Sequence, residues 1–133
     1  MAITDRKLAK GSATPLKPIR LVIGTTATSQ TAKKTDAVSV PFDFKVHAVE
    51  VNALTVTAGI TLDVKIGSTS VLTGRVTPVA ATPTAGTLST TLATTKGASG
   101  AVLSCDYTSD GTGAATNAVV TVWVRPRPLN GEL

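Results

Sequence analysis

The sequence predicts an all-β protein, an antiparallel β-sandwich or jelly roll of about eight strands with an extended N-terminal arm. Three observations favour this fold. Short stretches alternate apolar and polar residues, which gives a strand one buried and one solvated face. Thr and Val, whose branched side chains suit pleated strands, are abundant. Turn signals such as Asp110-Gly111 separate the stretches.

The clearest alternation lies in residues 60–67 and 42–48, and we expect these two stretches to supply the core. Every even-numbered residue of 60–67 is aliphatic, and both phenylalanines of the chain fall on the apolar side of 42–48. Past Ala48 the apolar residues move by one position, to Val49 and Val51. Such a slip predicts a β-bulge or a bend between sheets.

The remaining elements follow from turn signals and apolar runs. In chain order we expect a strand at 18–24, a loop at 25–34, an extended lead-in at 38–40, a polar turn at 67–69 feeding a strand at 71–76, a Pro- and Thr-rich crossing at 78–86, a strand at 101–108, a turn at 109–113 and a closing strand at 118–125. The closing strand is almost entirely apolar. It is therefore either covered on both faces or central in a sheet with Trp123 facing a partner. The prolines that follow it end the sheet.

Positive charge is concentrated near the N-terminus. The formal net charge of the chain is +5. Residues 1–34 hold seven cations and one acid, whereas residues 35–133 hold six cations and seven acids. We therefore divide the chain into an extended basic arm at 1–17, a β-sandwich domain at 18–128 and a C-terminal tail at 129–133.

The residue types that carry catalysis or hold metals are sparse. His47 is the single histidine, so the chain lacks a histidine pair for a metal and a strong general-base constellation. Asp43 and Asp63 occupy polar positions of the two best strands and could form a carboxylate pair. Solvated strand faces or ion pairs with Lys45 and Lys65 are the simpler interpretation. We expect no enzyme, no cofactor and no metal site.

Other features restrict the partners. Cys105 is the single cysteine, so it forms no internal disulfide, and we expect a small buried strand residue in a reducing compartment. No apolar run approaches the ~20 residues of a membrane helix, and the first residues lack the apolar segment of a secretory signal. The aromatic residues are not interleaved with cations, which argues against nucleic acid. We expect neither a membrane nor a nucleic acid as partner.

A particular order of turns and strands also runs through the chain. It comprises residues 46–49, 58–67, 70–72, a Pro- and Thr-rich crossing, 86–88, 110–113 and the Val-rich closing strand. Over about residues 40–125, this order resembles that of the small jelly-roll decoration (cement) proteins of tailed bacteriophage capsids. The turn at 96–100 departs from the family pattern because it lacks the acidic residue of a Gly-Asp step.

The resemblance implies a non-enzymatic homotrimer on the outside of a virion, synthesised in the host cytoplasm. Its partner would be the major capsid protein, whose subunits it would bridge and stabilise, without a small-molecule substrate. The residues that we expect to contact the capsid are Arg6, Lys7, Lys10, Lys17 and Arg20, and those for self-association are Val119, Thr121 and Trp123. The alternative is another virion β-sandwich component, such as a head-fibre base, a tail adaptor or a carbohydrate-binding module.

Overall fold

Two antiparallel sheets packed face to face form the body of the protein in a computed structural model that describes residues 16–26, 33–110 and 112–126. The strands are β1 (Lys17–Gly24), β2 (Lys33–Ser39), β3 (Phe44–Asn52), β4 (Thr55–Thr57), β5 (Ile60–Ile66), β6 (Thr69–Ser70), β7 (Thr84–Ala85), β8 (Lys96–Gly97), β9 (Val102–Ser109), β10 (Ala114–Thr116) and β11 (Ala118–Pro126). A single helical turn, α1 (Leu92–Thr95), precedes β8. The predicted all-β sandwich is confirmed.

Each sheet has its own strand order. Sheet A runs β1-β11-β3-β7, and β8 also pairs with β3. Sheet B runs β2-β9-β5-β6, and β10 pairs with β4 as a separate two-stranded ribbon. The closing strand β11 is therefore central in sheet A, between β1 and β3, as one of the two sequence interpretations expected.

The core between the sheets consists mostly of aliphatic side chains. Leu21 of β1, Val120 of β11 and Leu62 of β5 are fully buried, as is Tyr107 of β9. Phe44 is the other large aromatic residue of the core. Because so few aromatic rings are buried, the two sheets approach through Val, Leu and Ile, each of which buries only a modest apolar area.

Strand β3 contains the slip that the apolar pattern predicts. Trp123 of β11 is opposite Ala48, but the next residue, Val124, is opposite Val46, so His47 is an extra residue in β3. Phe44 and Val46 are buried before the bulge, and Val49 and Val51 are buried after it. The bulge lets both halves of the strand face the core although their alternation differs by one position.

Two sequence predictions were wrong in detail. The predicted loop at 25–34 is too long at its C-terminal end, because Lys33 and Lys34 belong to β2 and pair with β9. The strand expected at 71–76 is not continuous. After β6 the chain instead forms bridges from Leu72 to Leu88 and from Val76 to Leu62. The segment from residue 71 to residue 88 thus contacts β5 of sheet B and, through β7, β3 of sheet A. It covers the side of the sandwich where these two strands lie.

Candidate interaction surface

The side chains of sheet A that point away from the core form a surface that we call the outer face of sheet A. Residues opposite each other in antiparallel strands lie on the same face. One cross-strand row contains Pro18, Trp123 and Ala48 from β1, β11 and β3. Trp123 is half-buried, whereas Pro18 and Ala48 are exposed. The single tryptophan of the chain therefore lies outside the core, on a face that no described element covers.

Two further rows extend this face. In the first, Thr121 lies between Arg20 and Glu50. In the second, Val119 lies between Val22 and Asn52, whose side-chain amide donates a hydrogen bond of 3.3 Å to the Glu50 carboxylate. Val22 is 56% exposed, so its apolar side chain faces solvent on this surface. Apolar and polar side chains thus mix on this face, as they do in protein interfaces.

The predicted self-association residues share this surface. Val119, Thr121 and Trp123 are alternate residues of the central strand β11, and all three are half-buried on the outer face. The residues predicted to contact a capsid are not brought together in the same way. Arg20 lies on the outer face, but Lys17 is opposite the core residue Val124 at the start of β1. Arg6, Lys7 and Lys10 lie outside the described residues.

A fourth row lies beyond the bulge, and sequence reasoning missed it. Lys45 of β3 is opposite Lys96 of β8 on one side and Arg125 of β11 on the other. We call Lys96, Lys45 and Arg125 the basic row. All three side chains are half-buried, and among the described residues none forms an ion pair. Nothing in the local sequence marks these residues as neighbours, because their adjacency depends on the pairing of three distant strands.

Histidine 47 lies at the bulge next to the basic row. Partial burial lowers the pKa of the His47 imidazole, and the charges of Arg125 and Lys45 lower it further. Its Nε2 atom and the Nε atom of Arg125 are buried without a hydrogen-bond partner in the described part of the chain. This end of the outer face is therefore both positively charged and partly desolvated.

The outer face of sheet B has a different character, because its polar groups contact one another. Lys65 of β5 forms an ion pair of 2.9 Å with Asp106 of β9. Asp63, which sequence analysis placed on a solvated face, is only 7% exposed. Its carboxylate accepts hydrogen bonds from the Ser70 hydroxyl at 2.6 Å and from the Val64 N–H at 2.9 Å. Buried carboxylates persist where such donors compensate the lost hydration.

Arg75 also donates hydrogen bonds to oxygen atoms on the outer face of sheet B. Its Nε donates to the Thr61 hydroxyl at 2.7 Å, and its Nη2 donates to the Thr108 hydroxyl and to the Asp106 carbonyl, each at 2.9 Å. The guanidinium thus attaches the segment after β6 to both central strands of sheet B. The suggested pair of Asp43 and Asp63 has no support, since Asp43 instead accepts a hydrogen bond of 2.7 Å from Ser99 N–H.

Other candidate sites in the chain have ordinary structural explanations. Cys105 is fully buried as predicted, and burial raises the pKa of its thiol to about 11, so the thiol is protonated at neutral pH. The described residues contain no group of three or more metal-ligand side chains. No helix in the described part of the chain has the length and apolarity to span a membrane. A cavity of about 240 Å³ lies between residues 73–77 and 84–87, and four of the residues that line it are threonines.

Comparison with known proteins gives no relative from which a role can be transferred. No protein-family model matches the chain, and neither a curated protein nor a solved structure matches it.

Proposed function

We propose that this chain is a non-enzymatic structural protein that decorates the outside of a bacteriophage capsid and stabilises it by bridging major capsid subunits. In this proposal the protein is a homotrimer and acts through its surfaces alone. The capsid setting comes from the resemblance of residues 40–125 in turn order and alternation. The all-β sandwich is the architecture that this resemblance implies.

The observation that carries the proposal is the difference between the two outer faces. The polar groups on the outer face of sheet B largely bond to one another, through Lys65, Asp106 and Arg75. The outer face of sheet A instead presents Trp123 and Val22 to solvent. Tryptophan is enriched at the centres of protein interfaces, where it fills a pocket on the partner. A sandwich with one such face is suited to association with other subunits.

Charge on the edge strand supports the contact with a shell. Residues 1–15, which precede β1, carry Arg6, Lys7 and Lys10, and β1 itself adds Arg20 on the outer face. Strand β1 is at the edge of sheet A, because it pairs with β11 and with no other strand in the described part of the chain. Arg20 and the cations that precede it in the sequence would be attracted to an acidic subunit surface, and this attraction weakens as salt screens the charges.

The test is to locate the chain in purified particles by cryo-electron microscopy and to heat particles with and without it. Regular copies on the outside of the head, together with earlier release of DNA from particles that lack the chain, would support the proposal. Copies confined to one vertex or to the tail would favour a fibre base or an adaptor instead. A chain that is absent from purified particles would contradict a virion role.

Trp123 also favours one second candidate, a carbohydrate-binding module. An aromatic ring that lies half-exposed on a sheet face can stack on a sugar ring. Binding of the isolated chain to a glycan array, abolished by Trp123→Ala, would favour this function over the capsid role.

A further inference from the structure

The basic row is the part of the outer face whose charges are least compensated. Neighbouring strands lie about 4.8 Å apart, so Lys96, Lys45 and Arg125 span about 10 Å across three strands. Like charges directly opposite in a sheet destabilise it. Asp43, the nearest carboxylate along the chain, bonds to Ser99 N–H and forms no ion pair with the row. The fold therefore maintains a repulsive arrangement that an anionic partner would relieve.

Partial desolvation strengthens the attraction of this row for an anion. The three cationic side chains are half-buried, and Nε of Arg125 and Nε2 of His47 are shielded from solvent. A charge that is partly removed from water interacts more strongly with an incoming opposite charge, because water screens it less. Burial, followed by the charges of Arg125 and Lys45, lowers the pKa of the His47 imidazole and favours its neutral form, so it adds little further repulsion.

We propose that the basic row binds a carboxylate-bearing segment of a partner protein. The planar guanidinium of Arg125 can hold a carboxylate through two parallel hydrogen bonds, and Lys45 and Lys96 can each bind a further carboxylate oxygen. The inference rests on the proposed function only for the identity of the partner, which would be an acidic segment of the shell subunit.

The rest of the outer face favours a polypeptide over a nucleic acid. The basic row contains one residue from each of three strands, so it can neutralise only a few phosphates. Affinity for nucleic acid comes from neutralising many. Beyond Trp123 the face carries Glu50, which would repel a phosphate backbone that continued along the sheet. Trp123 is also the one aromatic residue among the described side chains of this face, so it does not form a series of stacking positions. A short acidic segment matches the size of the row.

The experiment measures binding of a fluorescently labelled glutamate-rich peptide to the full purified chain by anisotropy. A peptide with Gln in place of Glu serves as the ligand control. Lys96→Gln should weaken binding about tenfold, the effect of losing one charge-assisted hydrogen bond, and Arg125→Gln should weaken it more, because it removes a contact of two hydrogen bonds. Lys65→Gln is the matched protein control, since it removes the same charge from the outer face of sheet B and should leave the affinity unchanged.

The inference fails if the Glu peptide does not bind, and three further results would also overturn it. The first is equal affinity for the Glu and Gln peptides. The second is tighter binding of a single-stranded RNA through the same residues, which would make the row a nucleic-acid site. The third is displacement of the peptide by inorganic phosphate at equal concentration, which would make it a simple anion site. If the peptide binds but particles lack the chain, the capsid role fails and the carboxylate site stands. If particles carry the chain and the peptide does not bind, the site alone fails.

Discussion

The carboxylate of Asp36 in β2 accepts a hydrogen bond of 2.8 Å from the backbone N–H of Val22 in β1. These strands belong to different sheets, and each is at an edge. The contact therefore joins the two sheets along one side of the sandwich and satisfies an edge donor of β1 that has no strand partner.

Replacing Asp36 with Ala should destabilise the fold by about 1 kcal/mol, because the Val22 N–H loses its acceptor at a partly solvated position. Chemical denaturation of the variant measures this change. Asp36→Asn is the matched control, since its amide oxygen can still accept the hydrogen bond and should restore most of the stability. Equal loss in both variants would show that charge, rather than the hydrogen bond, matters at this position.

Gly97→Ala should cost about 1–3 kcal/mol through overpacking. Gly97 of β8 lies opposite Phe44, and a Cβ at this position would overlap the Phe44 ring. Gly74→Ala is the control, because a Cβ there meets nothing within 4 Å. The double variant with Phe44→Leu should recover part of the loss. A Gly97→Ala protein with unchanged denaturation midpoint would contradict the close packing of β8 on this ring.

Lys45→Glu should stabilise the isolated protein by about 0.2–1 kcal/mol, because the new carboxylate would lie opposite two cations, Lys96 and Arg125. Lys65→Glu should do the reverse, since it replaces an ion pair with repulsion of Asp106. Thermal unfolding at low salt measures both shifts, and added salt should reduce them. Destabilisation by Lys45→Glu would mean that the basic row is not repulsive.

Stability should decrease as the pH falls through the range just below about 6.5, the ordinary pKa of His. Burial, Arg125 and Lys45 lower the pKa of His47, so the folded state binds a proton less readily than the unfolded chain. The contribution of neutral His47 to stability is complete above the pKa of His in the unfolded chain. It is lost as the pH falls through the pKa of His47 in the folded protein. Urea denaturation across this range measures how the free energy of unfolding changes with pH. His47→Gln should remove the contribution of His47 and leave the contribution of the other titrating groups.

Trp123→Ala should weaken self-association by about 2 kcal/mol or more, as expected for a central aromatic residue of an interface. Sedimentation velocity over a concentration series measures the oligomer directly. Val119→Thr offers a milder change on the same face, and thermal unfolding of each variant separates loss of association from loss of folding. A wild-type chain that sediments as a monomer at all concentrations would remove self-association from the proposed function.

Much of the fold could be predicted because strand alternation reports directly which residues face inward. The slip after Ala48 was read from the pattern and is the His47 bulge. The central place of β11 in its sheet, with Trp123 outside the core, agrees with one of the two interpretations of this apolar strand. Asp63 was misread, because alternation gives the direction of a side chain but not whether another segment covers it. Here Ser70, from the following hairpin, folds back onto the carboxylate.

The basic row shows where prediction from the sequence ends. Lys45 and Lys96 are neighbours because a two-residue strand, β8, pairs with the start of β3. Such a short strand has no periodicity of its own, and in its observed register Gly97 lies against the Phe44 ring, where a Cβ would not fit. Register of this kind depends on long-range packing, which single-sequence patterns do not contain.

The bulge in β3 accommodates one residue more than a regular ladder would hold. It allows one strand to present Ala48 beside the tryptophan and Lys45 within the cationic cluster, while both halves keep their aliphatic residues inside. If β3 were regular through His47, one half would turn over, so that Phe44 and Val46 emerged and Lys45 entered the interior. Removal of His47 itself would place Val46 and Ala48 in regular alternation, so both halves should keep their inward faces without the bulge.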